Sequence, residues 1–110
     1  MEWLTCIKSS IEYIESHIKE NINIDDVANN SYVSSYYLQV GFNIMTGYSI
    51  GEYIRNRKLY LAALDLKQGA KVIDIAFKYA YETPESFTKA FKRFHGFNPS
   101  QIKNNKIKRF

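Results

Sequence analysis

Residues 27–48 of this chain return, with one residue inserted, at 75–97. At an offset of 48, Val27 matches Ile75, Ala28 matches Ala76 and Val33 matches Tyr81. Past the insertion the offset is 49 and pairs Ser34 with Thr83, Leu38 with Phe87, Phe42 with Phe91, Gly47 with Gly96 and Tyr48 with Phe97. A repeat at a fixed offset is one supersecondary unit used twice. Ser34 and Thr83 are helix-capping residues, and Gly47 and Gly96 stand where a chain leaves a helix in a left-handed conformation. Each copy therefore reads as short helix, turn of a few residues, capped longer helix and glycine stop. Two helices crossing at a steep angle need a small residue at the crossing, which Ala28 and Ala76 supply. The chain is expected to hold two helix-turn-helix units.

Periodicity fills in the rest. Leu4, Ile7, Ile11, Ile14 and Ile18 recur at steps of three and four, the apolar stripe of a first helix running to about Glu20. Asn23 caps a short helix carrying Ile24, Val27 and Ala28, with Asp25 and Asp26 in its first turn. The helix after Ser34 turns Leu38, Phe42 and Met45 inward. From Ser49 a longer helix runs to about Gln68, burying Ile50, Tyr53, Ile54, Leu59, Ala62, Ala63 and Leu66. Val72, Ile75, Ala76 and Tyr79 mark a fifth, and Thr83 caps a sixth with Pro84 at its first position. Pro99 starts a short seventh. No strand pattern is present. The expected fold is all-α, about seven helices in one domain over 1–110: a homeodomain-like pair of helix-turn-helix subdomains, about 5–48 and about 70–105, joined by a linking helix over about 49–68. At about 1.5 Å per residue that helix is roughly 28 Å long, near the roughly 34 Å between successive major grooves.

Length and composition exclude much else. A chain of 110 residues has no room for a conventional nucleotide-binding enzyme fold. The single cysteine, Cys6, excludes an internal disulfide and any Cys-pair zinc site, and fits a small hydrophobe. No Ser-His-acid order, metal-ligand spacing or phosphate-cradling glycine loop occurs, so no catalytic residue, metal or cofactor is expected. His95 falls in the last turn of the sixth helix, where it is expected to bond that helix's carbonyls. The longest apolar run, Leu59 to Leu64, is far short of the roughly 18–20 residues that cross a bilayer, and the start carries no export pattern. The expected compartment is the cytoplasm, with no membrane partner. The net charge of +4 conceals a division. Residues 1–55 hold three basic and seven acidic side chains, a net of −4, and residues 56–110 hold twelve basic and four acidic, a net of +8. An anionic partner for the second half follows, nucleic acid or membrane, and the duplicated helix-turn-helix units favour DNA.

The stretch D-I-A-F-K-Y-A-Y-E-T-P-E-S-F-T-K-A-F-K-R-F-H-G-F-N-P, Asp74 to Pro99, resembles the second-unit motif of the DNA-binding domain of AraC-type (AraC/XylS family) bacterial transcription regulators. G-Y-S-I-G-E-Y-I-R-N-R-K-L, Gly47 to Leu59, is similar to that family's connecting helix, and the likeness covers about Ile7 to Lys103. The resemblance implies a transcription activator, two recognition helices in successive major grooves of double-stranded promoter DNA, and recruitment of RNA polymerase. Small stand-alone members have this length. The opening also resembles a subgroup with an N-terminal DNA-binding domain ahead of an effector domain, in which case that domain is missing from this chain. Many members carry glycine in each inter-helix turn, where this chain has Tyr32 and Ala80. A left-handed backbone there costs a non-glycine residue about 1–2 kcal/mol, so either the turns differ or the core compensates.

The recognition helices are expected over about 35–46 and about 84–95. In the first, Ser35, Tyr36, Gln39, Val40 and Asn43 face outward, and the resemblance assigns the first four to base-reading positions. Gln39 can bond adenine through two hydrogen bonds, and Tyr36 can pack on a thymine methyl or reach a phosphate. Val40 stands where the family often has arginine. Gly41, inside a helix, points to close approach by another element. In the second, Glu85, Ser86, Thr88, Lys89, Lys92 and Arg93 face outward. Lys89 suits a base or phosphate, Glu85 can accept from cytosine, and Lys92 and Arg93 suit the backbone. Arg55, Arg57 and Lys58 on the linking helix can reach phosphate, and Arg57 can equally pair inside the protein. The competing reading is a helical protein-interaction module that does not bind DNA, its acidic first half forming the contact surface.

Overall fold

The computed structural model describes residues 2–110, which form six α-helices and one 3₁₀ helix, with no strand among the described residues. The α-helices are α1 (Trp3–Ser16), α2 (Ile24–Asn30), α3 (Ser35–Thr46), α4 (Ile50–Lys67), α5 (Val72–Lys78) and α6 (Pro84–His95). The seventh helix expected from Pro99 is the 3₁₀ helix, Pro99–Asn104. Asn98 and Gln101 cap one another reciprocally there, and Gln101 itself departs from helical dihedrals (φ −100°, ψ 15°), so the turn stays tight and short.

The chain divides within α4 into two compact units, Met1–Arg55 and Asn56–Phe110, each with its own core. In the first, α1, α2 and α3 pack pairwise around Ile7, Ile14, Val27, Ala28, Leu38 and Phe42. α1 stops at Ser16, earlier than its apolar stripe, and Ile18 stays buried from the turn that follows. Leu4 is 48% exposed and Met45 46%, against expectation. Side chains lean toward a helix's N-terminus, which carries Leu4 off the open end of α1. Burial on α3 is confined to Leu38, Gly41 and Phe42, which leaves Met45 in the last turn uncovered. In the second unit α5 and α6 pack on each other and α6 packs on the 3₁₀ helix, around Leu59, Ala62, Ala63, Leu66, Ile75, Ala76, Phe87, Phe91 and Ile102.

The duplication extends to individual hydrogen bonds. Ser34 Oγ accepts from the Tyr37 N–H and Thr83 Oγ1 from the Ser86 N–H, each at 3.1 Å. Gly47 (φ 81°) and Gly96 (φ 88°) end α3 and α6 in the left-handed region and donate to the carbonyls of Asn43 and Lys92. In the turns, Val33 donates to the Ala28 carbonyl and Tyr32 to that of Asn29; Tyr81 donates to Ala76 and Ala80 to Phe77 in the same pattern. This double bond pattern closes a helix around one left-handed residue. Tyr32 (φ 58°) and Ala80 (φ 65°) are those residues. The turns keep the left-handed geometry without glycine.

Candidate nucleic-acid interface

α3 is held from behind by α1. A methyl group at Gly41 would come within 3.2 Å of the Trp3 indole, which also meets the Tyr37 ring edge-on at 5.7 Å between centroids. Trp3 is the approaching group that Gly41 calls for. Phe42 packs edge-on against Tyr53 at 5.4 Å, so the inner face of α3 is fixed by rings from two elements. Its outer face is left open. Ser35, Tyr36, Gln39, Val40, Asn43 and Ile44 line one shallow concavity, with Tyr36 79% and Ile44 63% exposed. Ile44 was missed from the sequence, although its spacing from Tyr36 and Val40 at i, i+4 and i+8 was legible. The Ser35 hydroxyl donates to the Asp25 carboxylate of α2. Ser35 thereby ties the two helices and retains only acceptor capacity.

On α6, Glu85, Ser86, Lys89, Lys92 and Arg93 are exposed and Thr88 is half-buried. Among the described residues Lys89, Lys92 and Arg93 take no ion-pair partner, and the Ser86 hydroxyl donates to the Thr83 carbonyl at 2.9 Å. The core behind is a chain of rings: Tyr81 to Phe87 at 5.3 Å, Phe87 to Phe91 at 5.7 Å and Phe91 to Phe97 at 5.6 Å. Offset 49 pairs Val40 with Lys89, Asn43 with Lys92 and Ile44 with Arg93.

Two basic residues expected near phosphate do structural work in the second unit. Lys58 is 7% exposed, and its Nζ donates to the Tyr79 carbonyl at the end of α5, 3.0 Å away; burial lowers its pKa. Nearby, the Asp65 carboxylate accepts from the Tyr79 hydroxyl (2.7 Å) and from Lys78 (2.8 Å), and Tyr79 is raised above its ordinary pKa, by burial first and then by Asp65. Lys58 is thereby corrected from a phosphate candidate to a clamp on the inter-helix turn. Arg57 donates to the Phe110 carbonyl and lies 5.5 Å from the Tyr60 ring centre. Arg55 remains exposed. His95 does not bond the carbonyls of its own helix: Nε2 meets the Leu59 carbonyl of α4 at 3.0 Å, and Nδ1 accepts from the Lys108 N–H at 3.0 Å. A helix ending at Gly96 already satisfies Lys92, which frees the imidazole to bridge α4 and the segment after the 3₁₀ helix.

The helix-turn-helix domain family matches this chain over residues 27–105. The regulatory protein SoxS of Salmonella typhimurium is 38% identical over 99 residues, covering 89% of this chain and 92% of SoxS. The TetD protein of transposon Tn10 from Escherichia coli is 36% identical over 104 residues, 94% of this chain and 75% of TetD. In fold, the chain is similar to a transcriptional regulator with an AraC-type DNA-binding domain from Chromobacterium violaceum (TM-score 0.85, 19% identity, 91% of this chain and 90% of that one). It is also similar to the DNA-binding domain of the transcriptional factor AdpA in complex with a target DNA (TM-score 0.78, 18% identity, 88% of each chain). The chain belongs to the AraC/XylS family of helix-turn-helix transcription regulators.

Proposed function

We propose that this chain is a sequence-specific double-stranded DNA-binding regulator that activates transcription by inserting α3 and α6 into successive major grooves of a promoter. In this reading subdomains over about 5–48 and 70–105 are joined by the helix over about 49–68. The observation that carries it is the matching backbone support of α3 and α6, each capped, stopped by glycine and backed by rings, with the side chains of Gln39, Asn43, Lys89, Lys92 and Arg93 making no intramolecular hydrogen bond among the described residues. Outward groups on a rigid helix are what base and phosphate contacts require. On α3, Tyr36, Gln39, Val40 and Asn43 meet base edges and Ser35 can only accept. On α6, Lys89 meets a base or phosphate, Glu85 favours cytosine, Ser86 and Thr88 line the entry, and Lys92 and Arg93 hold the backbone.

Activation rests on relatives such as the HTH-type transcriptional activator AarP of Providencia stuartii, 37% identical over 95 residues. Contact with RNA polymerase, a cytoplasmic location and the lack of a catalytic role belong to the same reading; no helix among the described residues is long and apolar enough to cross a membrane. Selection of bound fragments from random duplex DNA, followed by footprinting, tests it. Two protected major-groove segments about 10 base pairs apart are expected. A single segment, or no enriched sequence, refutes it.

A further inference from the structure

From residue 20 to residue 54 the chain contains no lysine, arginine or histidine. That interval includes all of α2 and α3, and its charged residues are Glu20, Asp25, Asp26 and Glu52. The commonest specific contact to guanine is a bidentate arginine or lysine, and phosphate attraction needs the same side chains. This helix-turn-helix can supply neither. What α3 does present is an apolar stripe, Tyr36, Val40 and Ile44, beside two amides, Gln39 and Asn43. Carboxamides pair with the N6 and N7 edge of adenine, and apolar groups cover the thymine methyl. Three stripe residues at intervals of four span about 12 Å at 1.5 Å per residue, the rise of three to four base pairs.

We infer that α3 selects an A·T run in its half-site, with Gln39 and Asn43 reading adenine and the stripe ending at Ile44 reading thymine methyl groups. This rests on the proposed DNA-binding function and adds the base class to it. Binding by this helix is largely independent of salt, because no counterion is released where no phosphate is neutralised. The other half-site, facing Lys89, Lys92 and Arg93, carries the salt dependence.

The test uses the whole chain and the duplex recovered by selection. Three versions are titrated: unmodified, with deoxyuridine replacing thymidine in the half-site facing α3, and with that half-site's A·T pairs changed to G·C. Each thymine methyl lost should weaken binding about fourfold, and each G·C change by about 5- to 150-fold. Ile44→Ala, at an exposed position, should bind the unmodified duplex more weakly and lose part of the deoxyuridine effect, with an unchanged salt slope. Specific binding with no deoxyuridine effect, or a selected half-site rich in G·C, overturns the inference and leaves the DNA-binding function standing. Absence of any specific binding overturns both. A stripe that instead docks a protein shows as Ile44→Ala leaving every duplex affinity unchanged, which also overturns it.

Discussion

The two helix-turn-helix units share a backbone and differ in surface. Caps, glycine stops, turn hydrogen bonds and even the strained left-handed residue recur at fixed offsets. Yet α3 carries no charged side chain, whereas α6 carries Glu85, Lys89, Lys92 and Arg93. The backbone pattern is what folding demands of each copy, since a lost cap or an unsatisfied turn destabilises the unit. Outward positions answer to no such demand and are free to diverge. The comparison separates the part of each helix that makes the fold from the part that selects a partner.

The largest expected effects lie on the shared part. Phe42→Ala and Phe91→Ala each empty a fully buried position and should cost about 3–5 kcal/mol of stability. Trp3 is the single tryptophan and packs on α3, so its fluorescence follows the first unit. Phe42→Ala should lower the midpoint of that signal in urea far more than Phe91→Ala does. Equal shifts would show that the units share one cooperative core, and the comparison would then concern surfaces alone.

Smaller effects lie on the divergent part. Lys89→Ala should weaken operator binding by about 1–3 kcal/mol and lower the slope of log affinity against log salt by about 0.9. Val40→Lys, at the matching position of α3, should raise that slope by about the same amount. Titrations at several salt concentrations read both. An unchanged slope for Lys89→Ala would remove Lys89 from the phosphate contacts and leave the charge difference between the helices without consequence for binding.

Much of the common scaffold was legible in the sequence because it is local. Ser34, Thr83, Gly47 and Gly96 act within a few residues of themselves, and Gly41 announced the approach that Trp3 makes. What was not legible depends on contacts distant in sequence. Lys58 reads as an exposed cation until Tyr79 is seen to stand over it, and His95 reads as a cap on its own helix until Leu59 and Lys108 are. The hydrogen bond from Ser35 to Asp25 likewise joins two helices. The outward faces of α3 and α6 were legible as faces, and Ile44 belongs to the first by its spacing from Tyr36 and Val40, although the expected inward set wrongly took in its neighbour Met45.

The turns offer a test of equal backbones under unequal surfaces. Glycine at either left-handed position relieves steric strain of about 1–2 kcal/mol and gives back part of it by loosening the unfolded chain. Tyr32→Gly and Ala80→Gly should therefore both raise stability, by up to about 1 kcal/mol. Tyr32 is exposed and Ala80 half-buried, so a gain at Tyr32 comes from the backbone alone. Loss of stability in either variant, measured by urea unfolding, would mean that the side chain contributes more than the strain costs.

The smallest effect separates the units by pH. Offset 49 pairs His95 with Thr46, whose hydroxyl donates to the Phe42 carbonyl at 2.8 Å, accepts from the Tyr48 N–H at 3.1 Å and does not titrate. His95 is held neutral: burial lowers its pKa first, the nearby Lys108 ammonium lowers it further, and the Leu59 carbonyl partly opposes both. With Nε2–H donating to Leu59, Nδ1 must be unprotonated to accept from Lys108. A folded pKa below the ordinary 6.5 means that the unfolded chain takes up the proton first. The stabilisation is complete above about pH 6.5 and is lost as pH falls through the lower folded value. Stability of the second unit should decline as pH falls below about 6.5. In His95→Gln that decline should flatten, and the Trp3 signal should follow the same course in both proteins. A decline of equal size in wild type and variant would assign the pH dependence to other groups and leave His95 a packing residue only.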